Sequence, residues 1–77
     1  MFILKKIETD REGYFNLETA LCVSENKELL IEYHRENEGS YCLVEEYTDF
    51  EKWCKANNKN YYAESSYCTI GEIEVLT

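Results

Sequence analysis

Apolar and polar positions alternate most regularly from Phe15 onward, with Phe15, Leu17, Thr19, Leu21 and Val23 on one side and Asn16, Glu18, Ala20 and Cys22 on the other. Successive side chains of a strand point to opposite faces, so this period of two predicts a half-buried β-strand. Upstream, Phe2-Ile3-Leu4-Lys5-Lys6-Ile7-Glu8 is apolar and partly β-branched, and the polar run Thr9 to Gly13 follows it, which predicts a strand and then a turn. The stretch Lys27 to Arg35 fits two patterns. As a strand it sets Leu29, Ile31 and Tyr33 against Glu28, Leu30, Glu32 and His34. As a helix it groups Leu29, Leu30 and Tyr33 but turns Ile31 away, and the third position after Ser24 is Lys27 where a capping box would hold Glu or Gln. The strand is the favoured reading, with a helix over about 25–37 as the alternative. With the strand, turns fall at Ser24–Lys27 and Glu36–Ser40, and Tyr41 to Tyr47 returns as the fourth strand of a meander.

The clearest helix covers about 49–58. Thr48 or Asp49 can cap it, acids occupy its first turn, lysines lie towards its end, and Phe50, Trp53, Cys54 and Asn57 share the face that should lie on the sheet. The Asn57-Asn58-Lys59-Asn60 cluster ends it, because asparagine tolerates the left-handed conformation common at helix C-termini. Tyr61 to Ala63 and Tyr67 to Leu76 then read as extended, with Gly71 marking a bulge. The expected fold is α+β: one domain, 1–77, with a small antiparallel sheet of about four to five strands in meander order and one helix packed on it. If 25–37 is helical, the order becomes ββαβαβ.

A chain of 77 residues with 44% hydrophobic content sustains only a small core. Net stability of roughly 3–5 kcal/mol is typical at this size, which makes a partner or a homodimer a natural expectation. Sixteen acids against eight bases give a net charge of −8, which repels nucleic acid and anionic membrane surfaces. At the start, Met1 to Leu4 are apolar and Lys5-Lys6 follow, the reverse of a secretory signal, and no apolar run approaches the ~20 residues of a membrane span. A cytoplasmic protein with reduced thiols is the consequence.

Little in the sequence points to chemistry. Cys22, Cys42, Cys54 and Cys68 are spaced by 20, 12 and 14 positions, with no Cys-x-x-Cys pair to present two thiolates to zinc, and they read as small buried hydrophobes. His34, the single histidine, reads as an exposed residue in a charged stretch. Activating a thiol beside it would need electropositive surroundings that so acidic a chain lacks. Three glycines, at 13, 39 and 71, form no phosphate-cradling loop. No catalytic, cofactor or metal residues are therefore assigned, and an enzyme is not expected.

Charge arrangement is more informative. Residues 48–60 hold Asp49 and Glu51 against Lys52, Lys55 and Lys59, a net of +1 that leaves −9 on the rest. Glu8, Asp10 and Glu12 alternate, as do Glu36 with Glu38 and Glu72 with Glu74. In an extended chain each set would project from one side every ~6.6 Å, imitating a nucleic acid strand. The plainer account is that charges on outer strands keep sheets from pairing with neighbours. Seven tyrosines, among them Tyr14, Tyr61 and Tyr62, suit an interface that is part apolar and part wet, or ordinary cross-strand packing. Together these features predict a small acidic binding module that occupies the basic, nucleic-acid-binding surface of a larger protein, without touching nucleic acid or membrane itself. In size and acidity the chain resembles the small phage or mobile-element inhibitors of host defence nucleases, the anti-CRISPR type among them, although no motif assigns a family. A regulatory or assembly subunit acting through sheet-edge pairing or homodimerisation is the alternative.

Overall fold

The computed structural model describes residues 1–9, 16–64 and 66–74. Its elements run β1 (Phe2–Thr9), β2 (Asn16–Ser24), α1 (Lys27–Asn37), β3 (Cys42–Glu45), α2 (Phe50–Ala56) and β4 (Ser66–Glu72). The fold is α+β, and its order is the ββαβαβ that follows from a helical 25–37. One sheet has the strand order β2-β1-β4-β3. β1 pairs antiparallel with both β2 and β4, whereas β3 pairs parallel with β4. The expected antiparallel meander is thus corrected. A strand can return parallel to its predecessor only by a crossover, and α2 supplies one between β3 and β4.

Pairing register assigns side chains to faces. Leu4 lies opposite Ile70 and Leu43 beside Cys68, so these share one face, where Leu30 of α1 joins Leu4, Cys68 and Ile70 in a buried cluster. Val44, beside Thr69, lies on the other face, where Phe50 and Cys54 of α2 bury it. The two helices therefore cover opposite faces of the sheet.

The favoured strand at 27–35 is overturned. Asn26, not Ser24, caps α1: its side chain accepts from the Glu28 backbone N–H, while Ser24 Oγ accepts from the Asn26 N–H. The buried stripe is Leu30 and His34 with half-buried Lys27 and Ile31, a helical spacing hidden in sequence because two of its four members are polar. Leu29 and Tyr33, which looked like the apolar face, are left outside.

β2 is a strand as expected, but its faces differ from the simple alternation. The register with β1 shifts between Leu4 and Lys5, which face Cys22 and Ala20, so Leu21 is an extra residue. A bulge reverses the parity beyond it. Leu17 and Thr19 therefore share a face with Cys22, and Val23 falls with Glu18 and Ala20. Gly71, by contrast, pairs with Ile3 in unbroken register, so the bulge expected there is absent. Tyr61–Ala63 form a turn rather than a strand.

Helix α2 is shorter than expected but is capped as its sequence implies. Asp49 accepts from the backbone N–H groups of Glu51 and Lys52, and Asn58 beyond the C-terminus has φ +58°. Phe50, buried, stacks on Tyr67 with ring centroids 4.0 Å apart, and half-buried Trp53 stacks on Phe50 at 5.8 Å. Among the described residues no helix is long and apolar enough to cross a membrane.

Candidate binding surface

The acidic positions singled out in the sequence are not brought into one row. Asp10, Glu12 and Tyr14 lie outside the described residues. Glu8 and Glu38 converge on one cation, Lys6, at 3.8 and 3.7 Å, and that ammonium also sits 4.0 Å from the centre of the Tyr41 ring. Two of the candidate acids are thereby partly neutralised within the fold. Glu36 is on α1 and Glu38 just past its end, so their expected extended spacing is corrected to a helical one. Glu72 and Glu74 are exposed at and beyond the end of β4, next to the start of β1, where the Ile73 N–H donates to Met1 C=O at 2.8 Å. Tyr61 is half-buried against Phe50, and Tyr62, 78% exposed, meets the Tyr61 ring edge-on at 5.3 Å.

What the strand reading concealed is an acidic stripe on a helix. At 100° per residue Glu28, Glu32 and Glu36 fall within an 80° arc of α1, with Glu25 just before its N-cap. All four are exposed. Among the described residues only Glu32 has a cation in reach, Arg35 at 3.6 Å. Beside the stripe stand Leu29, 54% exposed, and Tyr33, 39% exposed. The signal is present in the sequence: acids spaced by three and four are the helical counterpart of alternating acids on a strand.

One ion pair crosses the sheet. Lys5 on β1 donates to Glu46 Oε1 at 3.0 Å and pairs with Glu18 of β2 at 2.9 Å, and these hydrogen bonds raise its pKa well above the ordinary lysine range. Glu46 reaches Lys5 by passing over Gly71 on the intervening β4, where any β-carbon would run into its side chain. Gly71 is needed for this close approach rather than for a special backbone angle.

His34 is buried, not exposed as expected. Its Nε2–H donates to the Tyr41 carbonyl at 2.9 Å, tying the last turns of α1 to the start of β3. None of the four cysteines is in a disulfide. Burial raises the pKa of Cys22, Cys42 and Cys68, the last to about 11, which disfavours a nucleophilic thiolate at neutral pH. Among the described residues no group of three or more His, Cys, Asp or Glu could hold a metal. No family model matches the chain, and no curated protein or solved structure matches it either.

Proposed function

We propose that the chain is a non-enzymatic acidic binding module that docks on the basic surface of a larger, nucleic-acid-handling protein and occludes it. This is the activity of an inhibitor of the anti-CRISPR or anti-defence kind. The observation that carries the reading is the stripe Glu25, Glu28, Glu32 and Glu36. Glu28, Glu32 and Glu36 lie along one exposed face of α1, beside Leu29 and Tyr33, with Glu25 just before the N-cap, and three of the four carboxylates have no cation in reach among the described residues. Carboxylates free of internal partners can steer a basic partner and pair with it, while an adjoining aromatic and aliphatic pair gives the contact a desolvated centre. The position of the acid is thus revised from strand rows to α1, and the class of partner is retained.

The test is charge reversal followed by capture from host cells and measurement of association rate. Replacing Glu28, Glu32 and Glu36 with lysine should abolish capture of the partner that the wild type retains, and the wild-type association rate should fall as salt rises. Lys52→Glu with Lys59→Glu is the control and should leave binding intact. If the control weakens binding more than the stripe reversal does, recognition belongs to the α2 side and the reading is wrong.

A further inference from the structure

We propose that the outer edge of β2 is a docking site that takes an extended, lysine- or arginine-bearing segment of the partner as a fifth strand. The inference rests on the reading above in one respect, that the partner is basic. β2 stands at the end of the sheet and pairs only with β1 among the described residues, so one row of its backbone N–H and C=O groups faces outward. It is nine residues long, whereas the opposite edge, β3, has four.

Of the usual protections β2 has the bulge at Leu21. It contains no proline or lysine, and its single charge, Glu18, is engaged by Lys5. Asn16 to Ala20 are exposed on both faces, a five-residue ladder that ends at the Leu21 bulge.

The surroundings of this edge indicate what fits it. α1 packs over β1 and β2. Its Lys27 reaches Glu45 of β3, and His34 reaches Tyr41 beside β3. Leu29 and Tyr33 lie 100° or more around the helix from those two residues, on the flank turned from β3 towards the β2 edge. Val23, 51% exposed, lies on the opposite face of the same strand. A strand added ~4.8 Å outward along Asn16 to Ala20 would lie beside Leu17 on the α1 side and Ala20 on the other, with Val23 past the Leu21 bulge where that ladder ends. Glu28 and Glu32 lie on the other flank of α1, so the cations of the added strand would answer Glu36, which neighbours Leu29 around the helix, Glu25 directly after β2, and the chain's net charge of −8. A second copy of this chain matches the edge but not the charge, because it would bring together two molecules that each carry a net charge of −8.

The experiment uses the full chain and a ten-residue peptide alternating valine with lysine, titrated by NMR with amide hydrogen exchange read on β2. The control is the same peptide N-methylated at alternate residues along each edge in turn. The unmethylated peptide should bind and should slow exchange at least tenfold at alternate amides of Asn16 to Ala20, while methylation along the docking edge abolishes both effects. Equal binding of all peptides without β2 protection would overturn strand addition and leave the acidic reading standing. Failure of every peptide to bind would overturn both. Concentration-dependent protection of β2 without peptide, together with a dimer mass in sedimentation, would assign the edge to a second copy and overturn the proposal.

Discussion

Gly71 shows how one missing β-carbon can hold three strands together. The Glu46 side chain occupies the space above Gly71 and engages Lys5 beyond it, so Gly71→Ala should displace Glu46 and destabilise the chain by about 1–3 kcal/mol. In a double-mutant cycle with Glu46→Ala, measured by urea denaturation, the two costs should be clearly less than additive. Additive costs would mean that Gly71 acts through its own strand alone. Cys68 makes a second prediction at this scale. Its thiol ionises at about 11 in the folded state against an ordinary value near 9. Between those pH values the unfolded chain loses a proton that the folded chain keeps, so stability falls from pH 9 to about 11 and this contribution then levels off. The drop should be roughly 1–3 kcal/mol at 1.36 kcal/mol per unit. Lys5, with its pKa raised, contributes fully below its ordinary value of 10.5 and loses that contribution only above it, so the two effects separate by onset. Urea melts at pH 7, 9, 10 and 11 should show a shallower decline between 9 and 10.5 for Cys68→Ala than for the wild type.

Helix α1 decides how much could be read in advance. β1, α2 and β4 were legible as elements from their apolar spacing, with the cap and charges of α2 in the expected places, and β2 was legible as a strand but not in its faces, which the Leu21 bulge exchanges. α1 was not, because a histidine and a lysine stem lie on its inner face while Leu29 and Tyr33 lie outside. A pattern of apolar residues alone then looks equally like a strand. The candidate surface was lost with it: carboxylates that alternate in an extended chain become a stripe only when the chain is wound into a helix. Leu30→Ala and Leu29→Ala separate the two accounts of this element. Leu30 is 2% exposed in the cluster with Leu4, Cys68 and Ile70, so its truncation should cost about 2–5 kcal/mol. Leu29→Ala should stay within about 0.5 kcal/mol by thermal melt, whereas equal costs would place both on the inner face.

Across the whole molecule, the sign of the charge was legible from composition but its placement was not. A net charge of −8 on so short a chain stores self-repulsion that the few internal ion pairs do not cancel. Raising ionic strength from about 0.01 to 0.15 M shortens the screening length from about 30 to 8 Å. The urea midpoint should therefore rise with salt, and replacing Glu28, Glu32 and Glu36 with glutamine should raise it at low salt. A midpoint that falls with salt would mean that pairs such as Lys5 with Glu18 and Glu46 outweigh the repulsion. The strand order has a bearing on how the molecule comes into being. β1 lies in the interior of the sheet, yet one of its two neighbours, β4, is the last of the described elements to leave the ribosome, with Phe2 paired to Glu72. At roughly 5–20 residues per second, β1 and β2 wait several seconds as a bare hairpin before β4 arrives. Because pairing so distant in sequence slows folding, the closing step should limit the rate, and the nascent chain would stay open to proteases and chaperones until β4 has emerged.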